Sequence, residues 1–113
     1  MKTIGLLLIF SLLTLIGCEK IDKDCPDCIL KKTREFTKSQ ICDTGASVSE
    51  WLFQGEYVYM FSDGTCGADF GASVYNQNCE YLGILGGIGG VAQINGVVFH
   101  QNATRIRIIW EQD

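Results

Sequence analysis

The sequence predicts an α+β domain: one N-terminal helix packed on a small antiparallel β-sheet of about five strands, stapled by disulfides. Three observations predict it. Apolar residues recur at helical spacing between Pro26 and about Lys38. From Ser47 onward the period changes to two, with glycine-rich breaks. Six cysteines lie behind an apolar N-terminal stretch, as in small exported domains. The 113 residues suffice for one domain, and 47% apolar against 19% charged residues favours a folded chain over a disordered one.

The first stretch, MKTIGLLLIFSLLTLIGC, has one cation, Lys2, and an apolar run from Ile4 to Ile16 broken by Ser11 and Thr14. A spanning helix needs about 20 apolar residues, so this run reads as the core of a secretory signal. Leu15-Ile16-Gly17-Cys18 resembles the bacterial lipobox. That resemblance implies a signal peptide over residues 1–17, cleavage before Cys18 and diacylglycerol on its thiol. Residues 18–25 would then be a lipidated tether and 26–113 a single domain in the cell envelope, anchored to the inner or outer membrane.

The helix is expected from Pro26 to about Lys38, with Asp24 or Cys25 at its cap, Pro26 at the first helical position and Asp27 facing the positive end of the dipole. Ile29, Leu30, Thr33 and Phe36 share one side. SVSEWLF and EYVYMFS flank Gln54-Gly55, a hairpin turn that places Trp51 opposite Val58 and Leu52 opposite Tyr57. One face then carries Trp51, Phe53, Val58 and Met60, the other Val48, Leu52, Tyr57, Tyr59 and Phe61; both need cover. SDGTCGADFGA is a glycine-rich loop, and SVYNQNCEYLGIL a second hairpin turning at Asn76 to Asn78. GGIGG is a loop, and INGVVF a short strand or turn. In the closing TRIRIIW, alternation sends Ile106, Ile108 and Trp110 one way and Arg105 and Arg107 the other.

If lipid takes Cys18, five cysteines remain. Pairing Cys28 with Cys42 and Cys66 with Cys79 closes two loops of about 15 residues each, worth on the order of 3 kcal/mol apiece by loss of chain entropy. Cys25 is then the spare thiol, with Cys25–Cys42 as an alternative bridge. Cys25-Pro26-Asp27-Cys28 has the form of a thiol-oxidoreductase motif, but the few residues after Cys18 hold no preceding strand, and Pro26 is the only proline. A second C-x-x-C is missing and His100 is the only histidine, so no zinc set is formed.

The formal net charge of −4 argues against nucleic acid. No lysine or arginine lies between Lys38 and Arg105, a span holding Asp43, Glu50, Glu56, Asp63, Asp69 and Glu80. This is a solvated surface or an acidic patch for a cation or a basic partner.

Asp43-Thr44-Gly45 and Gly86 to Gly90 resemble the active-site loop and flap of retroviral-type aspartic peptidases. The resemblance implies a dimer whose two Asp43 carboxylates share a proton. Against it, a helix rather than a β-hairpin region precedes the motif, and no apolar-apolar-Gly strand follows Gly90. Otherwise Asp43 to Gly45 is a turn leading into the first strand, with Gly45 taking the unusual dihedrals. Gly87 to Ala92 matches a dinucleotide fingerprint, yet no room remains for a βαβ unit, and no cofactor is expected.

CDTGASVSEWLFQGEYVYMF, GTCGADFGASVYNQNCEYLGILGGIGG, INGVVF and the closing IIW resemble a family of small bacterial lipoproteins described as an uncharacterised conserved domain. In that resemblance Cys28, Cys42, Cys66 and Cys79 match the family's cysteines and Cys25 departs. It implies lipid anchoring and a shared fold, and supplies no activity or cofactor.

The expected function is therefore a non-catalytic binding or structural module, held to the membrane by its N-terminal lipid and meeting an envelope protein. The binding loops would carry Asp63, Gly64 and Asp69 on one side and Gly86, Gly87, Gly89 and Gly90 on the other. An aspartic peptidase built on Asp43 and an inhibitor of an envelope peptidase are the alternatives.

Overall fold

The computed structural model describes residues 20–39, 42–66, 71–87 and 89–113. The expectations placed on residues 1–17, Cys18 and Asp69 lie outside the described residues.

Helix α1 runs Asp27–Lys38. Pro26, expected as the first helical residue behind a cap at Asp24 or Cys25, is itself the N-cap, with φ −55° and ψ 145°, so the helix starts one residue later; its carbonyl accepts from Leu30 N at 3.0 Å. Ile29 and Thr33 are buried, and Leu30 and Phe36 pack beside them. The buried Thr33 hydroxyl donates to Ile29 O at 2.7 Å, so it is not stranded under the helix.

Among the described residues, seven strands follow: β1 Ser47–Phe53, β2 Glu56–Ser62, β3 Gly71–Asn76, β4 Tyr81–Gly86, β5 Gln93–Ile94, β6 Val97–Val98 and β7 Ala103–Glu111. A short helix α2, Phe99–Asn102, precedes β7. The main sheet has the order β4-β3-β2-β1-β7 and is antiparallel throughout. The β1–β2 hairpin has the expected register, Trp51 opposite Val58 and Leu52 opposite Tyr57. Gln54 and Gly55 both take positive φ, 52° and 79°, as a two-residue turn matching the twist of the strands requires.

Both sheet faces carry cover, the α1 face only in part. On one side Val48, Tyr59, Phe61, Ile109 and Trp110 pack under Ile29 of α1, joined by Ile21 from the segment before the helix. On the other, Phe53, Val58, Met60, Val74 and Leu85 are covered by Ile94 of β5 and Phe99 of α2. Phe99 is fully buried, 5.3 Å from the Trp51 ring and 5.0 Å from the Phe53 ring. The α1 face and the α2 face are thus the two apolar faces read from the hairpin.

Three expectations are corrected. The first is the cysteine pairing. The bridges are Cys28–Cys79 and Cys42–Cys66, with Cα separations of 6.2 and 5.4 Å, rather than Cys28–Cys42 and Cys66–Cys79. Cys28 is in the first turn of α1 and Cys42 lies beyond its end, with about 15 Å of helix at 1.5 Å per residue after Cys28. Cys66 and Cys79 flank β3, about 20 Å of extended chain. Each expected pair is held apart by the element between its members, because a bridge needs Cα atoms within about 7 Å. The actual bridges fasten the start of α1 to the β3–β4 turn, and the Cys42 loop before β1 to the loop after β2. Cys25 remains a free thiol, as expected.

The second is strand β7. Val48 pairs with Trp110, Ser49 with Ile108, Glu50 with Arg107 and Trp51 with Arg105, so Ile109 and Ile106 are extra residues in two β-bulges. Each bulge resets the alternation. Arg107 and Trp110 therefore share the α1 face, Ile109 is buried with them, and Ile106 is 43% exposed.

The third is the tether. Its described part, Lys20 to Cys25, lies along the open edge of β7. Asp22 N donates to Ile109 O at 2.8 Å, Ile21 is buried, and Lys20 Nζ meets Asp113 Oδ2 at 2.8 Å. The order Lys20–Asp113, Asp22–Ile109, Asp24–Arg107 makes the segment antiparallel to β7.

Candidate functional site

Rings run edge-to-face across the α1 side of the sheet. Phe36 of α1 meets Trp110 at 6.1 Å and Phe61 at 5.5 Å; Phe61 meets Tyr75 at 5.4 Å, and Tyr75 meets Tyr81 at 5.6 Å. Cross-strand pairing puts these residues on one face, Phe61 opposite Ser73, and Tyr75 opposite Tyr81. The series starts in the core, with Phe61 at 4% exposure, and ends in solvent, with Tyr81 at 58%. Ile84, opposite Ser73, is 42% exposed beside it. Helix α1 packs toward the β1, β2 and β7 part of the face and leaves the β4 side open.

A groove of about 300 Å³ lies at this boundary. Its floor is Phe61, Ser73 and Tyr75; its helix wall is Lys32, Glu35, Phe36 and Ser39, and Asp63 closes one end. Lys32 Nζ sits 4.2 Å from the Tyr75 ring centre. A cation over an aromatic face flanked by carboxylates is a favourable arrangement, and the groove already displays one. The alternation in SVYNQNCEYLGIL was the signal for this surface: Tyr75 and Tyr81 fall on the same face once the hairpin is paired.

A second cluster lies toward β7. Glu50, 5% exposed, accepts from Tyr59 Oη at 2.8 Å and from Arg107 Nε at 3.0 Å. Arg107 Nη1 also donates to Asp24 Oδ2 at 3.0 Å and Asp24 O at 3.2 Å. Burial, then the hydrogen bond to Glu50, pushes the Tyr59 phenol well above its ordinary range. Burial, then the Asp22 and Glu50 carboxylates, pushes the Cys25 thiol up, with Arg107 opposing. Through Arg107, which bonds both Glu50 and Asp24, the cluster joins the Lys20–Cys25 segment to the sheet. A carboxylate in the middle of the apolar strand SVSEWLF was the signal here, since a buried carboxylate requires a partner.

The predicted loops gather at one end of the sheet. Asp63 N meets Gly71 O at 3.5 Å, and Gly71 pairs with Gly86, so Asp63, Gly64, Gly86 and the loop through Gly87, Gly89 and Gly90 leave neighbouring strands together. Some of their amides are engaged inside the loops. Gly86 N donates to Val91 O at 2.7 Å, Gly90 N to Gly87 O at 3.1 Å and Thr65 N to Thr44 O at 3.3 Å. Gly64 has φ +117°, and a Cβ there would come within 2.5 Å of Thr44 O. Gly64 serves close packing, and Gly86, Gly87 and Gly90 take the positive φ of turns.

Asp43 is exposed in the loop that ends in Gly45, whose φ of +84° is the one a turn asks for. Cys42–Cys66 ties this loop to Asp63–Cys66, and Gln112 clasps it, donating to Cys42 O at 2.9 Å and accepting from Ala46 N at 3.1 Å.

Among known proteins, a protein-family model for a domain of unknown function matches residues 34–112. No curated protein and no solved structure matches the chain. The matched span takes in the whole sheet, the ring series and the groove residues Glu35 to Tyr75; Cys25, Cys28 and the strap at Lys20–Asp24 precede it.

Proposed function

The chain belongs to the DUF6970 family of domains of unknown function, and from that premise we propose that it is a lipid-anchored envelope module that binds a protein partner without catalysing a reaction. The observation that carries this reading is the ring series Phe36–Phe61–Tyr75–Tyr81, which leaves the core and ends in solvent beside Ile84. Exposed aromatic rings fixed by a packed floor lose little entropy on binding, and such anchors carry most interface energy. Glu35 and Asp63 at the groove favour a partner that sets a basic side chain beside an apolar one. Two disulfides suit an oxidising compartment, as does the apolar N-terminal stretch ending in Cys18.

The test is site-specific photocrosslinking in the native envelope, with the reactive residue at Tyr81, at Ile84, or at Gln54 in the distant β1–β2 turn. One discrete adduct is expected from Tyr81 and Ile84, absent from Gln54 and lost with Tyr75→Ala. Equal labelling from all three positions, or none, would overturn the reading.

A further inference from the structure

The strap along β7 fixes which end of the sheet the anchor holds. Lys20 lies beside Asp113, at the end where β7 finishes, β1 begins and β2 gives way to the Asp63–Cys66 loop. Asp24, four residues later, is at Arg107, further along the strand. Only Glu19 separates Lys20 from Cys18, and two residues of chain reach at most about 7 Å. The strands are about 23 Å long at roughly 3.3 Å per residue, so the anchor's reach is short against the sheet. An acyl group on Cys18 therefore cannot reach the opposite end, where the Gln54-Gly55 turn, the β3–β4 turn and α2 lie.

We infer that the end of the sheet carrying the Cys42–Ala46 loop, the Asp63–Cys66 loop and Gln112 rests against lipid headgroups, while the β1–β2 and β3–β4 turns point away from the bilayer. The inference rests on acylation of Cys18 as proposed above. It reassigns the glycine-rich end, expected from sequence to meet a protein, to the membrane surface. Asp43, Glu111 and Asp113 rim that end, with Lys20 paired to Asp113. Carboxylates are costly to bury in hydrocarbon, so the end sits at headgroup level without inserting, and it suits zwitterionic better than anionic lipid. The ring series, running across the strands to β4, remains open sideways to a partner in the aqueous layer.

The test uses the full chain as exported, with the mass of its N-terminal peptide measured first, placed in phosphatidylcholine nanodiscs containing a headgroup spin-labelled lipid. Amide relaxation enhancement is expected to be strong at Thr44, Gly45, Gly64, Thr65 and Gln112 and weak at Gln54, Gly55 and Asn78. A flexible Gly/Ser linker inserted between Glu19 and Lys20 should flatten that gradient and leave the chemical shifts of the sheet unchanged. Acylated protein with a flat or reversed gradient would overturn the orientation alone. A mass without an acyl group would overturn the anchor, and the orientation with it.

Discussion

Glu50 on β1 accepts a hydrogen bond at 3.0 Å from Nε of Arg107, its direct partner on β7, while its other oxygen takes the Tyr59 hydroxyl from β2 at 2.8 Å. One carboxylate, 5% exposed, thus ties three adjacent strands on the α1 face, and Arg107 extends the tie to Asp24. Removing Glu50 would leave the Arg107 charge and the Tyr59 hydroxyl without their shared partner. Glu50→Ala is expected to destabilise the fold by about 2–4 kcal/mol. Urea unfolding measures this, and limited proteolysis should cut faster between Lys20 and Cys25. A loss below about 1 kcal/mol would show that the cluster is not what holds the strap.

Peptide mapping of the unreduced protein should recover Cys28 with Cys79 and Cys42 with Cys66, and Cys25 as the alkylated thiol. Replacing both Cys42 and Cys66 by alanine is expected to cost roughly 3 kcal/mol, seen as a lower Tm. Recovery of a Cys28–Cys42 peptide would mean that α1 does not lie across the sheet in the way described.

The pairing also shows what the sequence could and could not tell. Period and turn chemistry gave the helix, both hairpins and the register of Trp51 with Val58, because these are local and each residue's neighbours fix them. Near-sequence cysteine pairing failed because loop length was weighed without the rigid rods of α1 and β3 that fill those loops. Strand β7 failed at Ile106 and Ile109 because a bulge adds a residue without leaving a composition signal, and strict alternation then runs out of step. The strap at Ile21 was missed because a single apolar residue among charges has no period. The groove was half legible: Tyr75 and Tyr81 could be put on one face, but how much of that face α1 would cover could not.

Cys25 should alkylate slowly. Its thiol is pushed above the ordinary value of 9.0 by burial first and then by Asp22 and Glu50. With iodoacetamide, the rate should rise with pH to a midpoint above 9, and Glu50→Gln should bring that midpoint down. The folded state favours the protonated thiol. This group's contribution to stability is therefore complete below the unfolded pKa and is lost as pH rises through the folded one. Tyr59, raised for the same reason, adds to the loss in strong alkali. Rapid labelling at pH 7 would place Cys25 in a more open setting than described.

Two glycines with positive φ test the loop end, Gly64 lying further outside the left-handed region open to other residues. Gly55 has φ +79° with nothing within 4 Å of where a Cβ would sit, whereas Gly64 has φ +117° with Thr44 O at 2.5 Å and Cys42 Cβ at 2.8 Å from that point. Gly55→Ala bears only the backbone cost, about 1–2 kcal/mol. Gly64→Ala bears that cost and must also push apart the two loops joined by the Cys42–Cys66 bridge, for a total of about 3–4 kcal/mol. Thermal unfolding should lower Tm in both variants, by roughly twice as much in the second. Equal losses would mean that the Asp63–Cys66 loop can move away from Thr44 at little cost, and that its glycine answers to turn geometry alone.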